Sequence, residues 1–425
     1  TGDSDRLIQL KVEEQALIAA YNTASIEKYT TIYNGEEIDL EGIYEIGKQI
    51  GTDEMYTLLR EVYAEKNTVL GDIYIDMINV RNEIAELSGY DTYAEYSYEK
   101  EYYRDYSPND SKMLFDSVKE TIVPIYESIT QQIDYNNIYG AYNKAGFSEE
   151  NLIEKSKECI EMISDSFSDT FSFMIDNNLN NIGADENRMD MSYTTYIYGY
   201  DVPFMFVTTE DSIFDLQSVI HEFGHYYAFN NYVSKGNVSL DISEVNSQGL
   251  EVLSWEYYDE IYGEEIGYDV YLYMLSLMTE SIITGCMYDE FQQKAYALED
   301  PSISEINKIY YELCGEYGRE VYDSGSGEGY LWVDITHNFI APFYYISYAV
   351  SAMVSLEIWQ IQIENPEKAL NFYMDFVKNS ATVTSLELLV SAVGIPSPFD
   401  EDSAVRLSDK VDEMLADAKE SDSAA

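Results

Sequence analysis

Apolar residues recur three and four positions apart through most of the chain, which predicts a mostly helical protein. The segments SDRLIQLKVEEQALIAAYNTASIEKYTTIY (4–33) and DEMYTLLREVYAEKNTVLGDIYIDMINVRNEIAELSG (53–89) carry this spacing. Gly89 closes the second in the manner of a helix C-cap. Segment 107–129 opens with Ser107-Pro108, a normal helix start, and Pro124 is expected to kink or divide it. The polar stretch NNLNNIGADENRMDM marks the expected lobe boundary. It predicts an N-terminal helical lobe over 1–185 and a second lobe over 186–425.

After that boundary the pattern changes. SYTTYIYGYDVPFMFVTT (192–209) is rich in Tyr, Thr, Val and Phe and holds a glycine and a proline, which reads as short strands forming a hairpin. Helical spacing then returns for most of the remaining length. One interruption, DSGSGEGYLWVD, places Gly325, Gly327 and Gly329 within five residues. Such a loop is expected to be flexible and to close over a neighbouring site as a lid. The small, polar C-terminal stretch ADAKESDSAA is expected to fray.

Length and charge narrow the functional classes. The 425 residues suffice for a large buried core, and no run of eighteen apolar residues suggests a transmembrane segment. Against 24 Lys and Arg stand 79 Asp and Glu, a net charge of −55. A surface that negative repels phosphate backbones and anionic head groups, which argues against nucleic-acid and membrane-surface partners. It reads either as a means of solubility or as a field that attracts metal cations and basic peptides, and composition does not separate the two. Three scattered cysteines, Cys159, Cys286 and Cys314, make neither a disulfide framework nor a cysteine metal site, and are expected as buried thiols. The 42 tyrosines form no repeat.

Only three histidines occur, and two of them lie four apart in VIHEFGHYYAFNNY. Ile213, Leu216, Ile220, Phe223 and Tyr227 fall at spacings of three and four, so this segment reads as a helix with one apolar stripe. His221 and His225 then project from the same side, roughly 5–6 Å apart at Cβ. That separation suits two nitrogens on one Zn²⁺ at about 2.0–2.1 Å. Glu222 is turned about 100° away, placed to reach a water beside the ion rather than to bind the ion first. Gly224 costs about 1 kcal/mol of helix stability relative to alanine, which is tolerated where a neighbouring backbone must come close.

A catalytic zinc needs a third protein ligand and one open position. No further histidine follows at short spacing and the cysteines are scattered, so a carboxylate remains. LDISEVNSQGLEVLSWEYY supplies Glu244 and Glu251, seven apart on one helix face, with Asp241 or Ser243 as the expected cap. Periodicity does not choose between the two glutamates.

HEFGH followed by DISEVNSQGLE resembles the zinc peptidases of the thimet oligopeptidase and oligoendopeptidase F family, the M3-type peptidases. Their second motif has the form E-x-x-S-Q-x-x-E. The resemblance implies that Glu244 is the third metal ligand and that Glu251 stands behind the ligands. It extends to Arg81, Asn82, Ala85, Gly89 and Tyr90, which match R-N-x-x-A-x-x-x-G-Y, and to WVDITHNFIAPFYYISYAVS, which is similar to the family's W-x-x-x-x-H…F-Y-x-x-x-Y. Coverage is about residues 65–400. Family members carry a longer N-terminal helical region than this chain.

The resemblance implies a mostly α, two-lobed helical peptidase with a deep substrate cleft and a small β-sheet preceding the HExxH helix. It implies one Zn²⁺ per chain held by His221, His225 and Glu244, with Glu222 as general base. His337 and a tyrosine among Tyr344, Tyr345 and Tyr348 would donate hydrogen bonds toward the reacting carbonyl. Pro203, Phe204, Met205, Phe206 and Val207 would be the strand along which an extended peptide lies. Short unstructured peptides are the expected substrates of this oligoendopeptidase reading. A dipeptidyl carboxypeptidase of the same family and a non-catalytic zinc-containing peptide binder are the alternatives. The TGDSD start and the acidity suit an exported, lipid-anchored protein, whereas the resemblance favours the cytoplasm.

Overall fold

The computed structural model describes residues 2–144, 149–184, 191–210, 212–232, 238–264, 266–320 and 327–424. The fold is mostly helical, with two small sheets. Two compact units divide it. The first comprises Thr1–Tyr102, Tyr106–Phe115 and Thr284–Ile346; the second comprises Tyr103–Asp105, Asp116–Ile283 and Ser347–Ala425. Each unit therefore draws on chain from both sides of residue 185.

In the first unit, helices Gly2–Ala24 and Thr52–Leu87 pack along each other. The reading of 4–33 as one helical stretch needs correction. The helix ends at Ala24, and strands β1 (Thr30–Tyr33) and β2 (Glu36–Asp39) pair antiparallel across an Asn34-Gly35 turn in which both residues have positive φ. Asn-Gly is the dipeptide that such a two-residue hairpin turn favours. Gly89 does sit at φ +87° past the end of the long helix, as its C-cap position requires.

Much of the tyrosine content of this unit is core. Tyr74 lies 4.8 Å from Trp332 and 5.2 Å from Phe339 between ring centres, and Tyr21 stacks on Phe339 at 4.1 Å. Within this core the buried Arg81 donates to Glu14 (2.7 Å), to the Tyr296 hydroxyl (3.0 Å) and to the Phe339 carbonyl (2.6 Å). A buried guanidinium is tolerable only when its donors are matched in this way. Gln292 donates to Asn338 at 2.7 Å and accepts from the Phe343 amide, so the segment that follows His337 is pinned at both ends. Gly329 has φ +73°, and a Cβ there would lie 2.2 Å from the Asn307 carbonyl oxygen, which excludes any other residue. Gly325 lies outside the described residues.

In the second unit, Pro124 divides its segment as expected: a π-helical turn over Val118–Ile122 precedes the helix Val123–Thr130, whose first turn holds the proline. The expected hairpin is present as β4 (Tyr193–Ile197) and β5 (Val202–Thr208), paired antiparallel. A third strand, β3 (Asn180–Gly183), lies inside the stretch read as a polar boundary and pairs parallel with β5. The order β3-β5-β4 makes β5 the central strand. Helix Gly267–Tyr296 is long and apolar enough to cross a membrane by length and composition, but 67% of its most apolar window is buried inside the fold. All three cysteines are buried and outside any disulfide, and burial pushes the Cys159 thiol up to about 12.

Candidate metal centre

Two consecutive helices of the second unit build the site. The first, Asp215–Asn231, carries the HEFGH segment. Its predicted stripe is real: Ile213, Leu216, Ile220, Phe223 and Tyr227 are all buried. The Asp215 carboxylate accepts from the amides of Glu210 (3.1 Å) and Ser212 (3.0 Å), which fixes where the helix begins. The second helix, Leu240–Ser254, is capped by Ser239 rather than by Asp241 or Ser243. Asp241 is instead buried 3.6 Å from the Arg104 guanidinium.

Gly224 explains how closely these helices approach. A Cβ at this position would stand 2.5 Å from the Asn246 carbonyl oxygen and 2.6 Å from the Ser247 Cα. Both are backbone atoms that no rotamer change can move. Only glycine lets the histidine helix lie against the segment two residues past Glu244.

The approach brings His221, His225 and Glu244 together, each half-buried, with one ligand atom apiece within 4.8 Å of the others. The two imidazoles are 5.1 Å apart between ring centres and nearly perpendicular. The His221 Nδ1 hydrogen-bonds Glu251, and its Nε2 lies 3.7 Å from Glu244 Oε2. Of the two glutamates that periodicity left open, Glu244 therefore stands with the histidines and Glu251 behind His221. Two nitrogens and one carboxylate oxygen form a donor set that fits a divalent cation of the zinc type.

The electrostatics have the same sense. Burial alone would push the His221 imidazolium down, but the carboxylates of Glu251, Glu244 and Glu222 outweigh it and hold its pKa at about 9. His225, buried and next to His221, is driven down to about 3. Burial raises Glu244 and Glu222 above the usual carboxylate range. A cavity with this much convergent negative potential is one a dication relieves.

Glu222 is buried beside the cluster, and the Thr194 hydroxyl lies 2.8 Å from its Oε2 and 2.9 Å from its backbone carbonyl. Thr194 is on β4, so the sheet touches Glu222 directly. The stretch 203–207, expected to receive a peptide, lies in the central strand, paired with β4 over Val202–Phe206 and with β3 over Met205–Thr208. Among the described residues, β4 forms the sheet edge nearest Glu222.

His337, Tyr344 and Tyr345 cluster in the first unit, with the His337 ring 4.9 and 5.0 Å from the two tyrosine rings. Burial holds His337 as the neutral imidazole at neutral pH, which leaves it a ring N–H to donate. Tyr348 is half-buried and belongs to the second unit. Three residues of the site region were not singled out from sequence: Thr194, Gln217 and Tyr258. The last two continue the hydrogen-bonding behind Glu251. Gln217 carried a signal, since it lies four residues before His221 on the same helix face.

A helical fold with a His-Glu-x-x-His helix packed on a glutamate-bearing helix defines a metallopeptidase-like class. The model of peptidase family M3 matches residues 161–394, more than half of the chain, and the chain belongs to that family. Solved structures agree in fold. PZ peptidase A with an inhibitor superposes with a TM-score of 0.75 at 21% identity, over 97% of this chain and 77% of that one. A candidate oligoendopeptidase F from Bacillus anthracis gives 0.71 at 21% identity, over 97% and 75%. Oligoendopeptidase-F from Enterococcus faecium gives 0.60 at 13% identity, over 95% and 72%. Comparison with curated proteins finds no match.

Proposed function

We propose that this M3 peptidase is a zinc-dependent oligoendopeptidase acting on short, unstructured peptides. The carrying observation is the convergence of His221, His225 and Glu244 with Glu222 buried beside them. Zinc held there would polarise a scissile carbonyl and make the attacking water more acidic. Glu222 takes the water's proton on its carboxylate and delivers it to the departing amine nitrogen. Burial supports both duties, because a carboxylate raised above its usual range holds a proton more readily at neutral pH. Thr194 fixes one carboxylate oxygen, leaving the other to face the reaction. The part of His337 and of Tyr348, Tyr345 or Tyr344 as donors to the reacting carbonyl rests on the family resemblance.

The test is hydrolysis of an internally quenched fluorescent peptide with and without a chelator. Cleavage that stops on chelation and returns with zinc supports the reading; chelator-insensitive cleavage, or none with zinc present, contradicts it. Product masses separate the modes within the family: internal cuts mark an endopeptidase, and release of C-terminal dipeptides alone marks a dipeptidyl carboxypeptidase.

The peptide is placed along β4 by strand addition. Neighbouring residues of a strand point their backbone groups to opposite edges. Of the two substitutions Thr195→Pro and Tyr196→Pro, one therefore breaks a bond to β5 and the other removes only an outward N–H. The second kind is expected to leave the fold intact and raise KM about tenfold, the worth of one hydrogen bond. Unchanged KM in the folded variant would remove β4 from substrate binding.

A further inference from the structure

We propose that Gln217 and Tyr258 are positioning residues that hold His221 with its proton on Nδ1, and so turn the Nε2 lone pair toward Glu244 and the metal position. The inference rests on the metal centre proposed above. It concerns two side chains that neither ligate nor reach the reacting atoms.

The hydrogen bonds behind His221 run in one direction along a buried chain. The Tyr258 hydroxyl donates to Gln217 Oε1, Gln217 Nε2 donates to Glu251 Oε2, and Glu251 Oε1 faces His221 Nδ1. A carboxylate only accepts, so the Gln217 amide must present its NH₂ to Glu251. Its carbonyl oxygen then faces Tyr258, and the phenol must donate. The Ser254 hydroxyl donates to the Glu251 backbone carbonyl at 2.6 Å and lies 3.5 Å from the Tyr258 oxygen. The second Glu251 oxygen has a single partner of the opposite kind available, the Nδ1–H of His221. Reversing any one group sets two acceptors against each other in a dry interior, where an unpaired polar contact costs most. The chain therefore has one arrangement, with a proton on Nδ1, and Nε2 is the nitrogen it turns toward Glu244 and the metal position.

The framework around this chain is rigid. Gln217 sits one turn before His221 on the same helix, and Glu251 lies in the last turn of the second helix. Tyr258 comes from the segment that follows, is 1% exposed, and stands edge-on to Tyr262 at 5.2 Å. Tyr262 donates to the Ile213 carbonyl at 2.8 Å, so the same segment also grips the start of the histidine helix. The plainer alternative is that Gln217 and Tyr258 merely satisfy each other as buried polar groups. A filler of that kind would affect stability and leave the metal site alone.

Two readouts on the full chain separate these. The first is the zinc dissociation constant, measured by competition with a chelator. The second is the ¹⁵N-imidazole spectrum of the zinc-loaded protein, in which only three histidines contribute. Gln217→Met is expected to weaken zinc about tenfold, in the range of groups that orient metal ligands. Tyr258→Phe, which removes one hydroxyl and keeps the ring, is expected to weaken it about threefold. In both variants the His221 Nδ1 proton should move upfield and exchange faster with water. Wild-type zinc affinity and an unchanged Nδ1 proton in Tyr258→Phe and Gln217→Met, with only a lowered Tm, would overturn the proposal. A wild-type chain that binds no zinc overturns it together with the metal-centre reading, whereas tight wild-type binding with unaffected variants overturns this inference alone.

Discussion

Glu222→Gln is expected to retain one zinc per chain and to lose peptide hydrolysis by about 10³-fold or more in kcat. The substitution keeps the shape of the side chain and the Thr194 contact at Oε2. What it removes is the capacity to accept and return a proton. In the proposed reaction one carboxylate serves both halves, so the loss falls on attack and on departure of the amine alike. Because Glu222 does not belong to the group of three that converges on the metal position, metal content should not change. Steady-state kinetics with metal analysis of the same sample checks this; turnover within tenfold of wild type would transfer the base role to another group.

Gly224→Ala is expected to damage the metal site through packing alone. Taken as a helix position, the change should help by about 1 kcal/mol. Taken with its neighbour, the new methyl would sit 2.5 Å from a carbonyl oxygen and 2.6 Å from a Cα, far inside contact distance. Relief requires the two helices to separate, at a cost of about 1–3 kcal/mol or more for overpacking a dry interface. Glu244 lies two residues from the clash, so separation draws the third ligand away from the histidines. Zinc affinity should fall at least tenfold, with hydrolysis falling in step at limiting zinc. Calorimetric unfolding and a zinc titration measure both terms. An alanine variant with wild-type affinity and Tm would mean that the helix contact tolerates the methyl group.

These two residues also show what was legible in the sequence. The HExxH spacing, the apolar stripe and the odd glycine within it are local features, and each is present in the structure where the periodicity placed it. Glu244 and Glu251 were indistinguishable by spacing, because they share a helix face; the direction in which each meets the histidine helix is a tertiary fact. The order of the strands was hidden for a similar reason. VPFMFV has the stronger β composition, and the more apolar strand is the one buried between two others. The polar TTYI of β4 lies at the edge, as an exposed strand should. β3 was missed because Asn-Asn-Ile-Gly has no strand pattern of its own and is ordered by pairing with Met205 through Thr208. The β1–β2 hairpin was overlooked although Asn34-Gly35 marked it, since helical spacing upstream was extended past the true helix end. Gln217 and Tyr258 lie 41 residues apart and meet only in the folded chain.

The claim beneath all of this is that His221, His225 and Glu244 hold one catalytic ion. The most direct measurement is metal stoichiometry by elemental analysis of the zinc-equilibrated, gel-filtered protein, beside Glu244→Ala treated identically. The account predicts one zinc per wild-type chain and little or none in the variant. A wild-type chain without stoichiometric zinc, or a variant that retains it as tightly as wild type, would contradict the account.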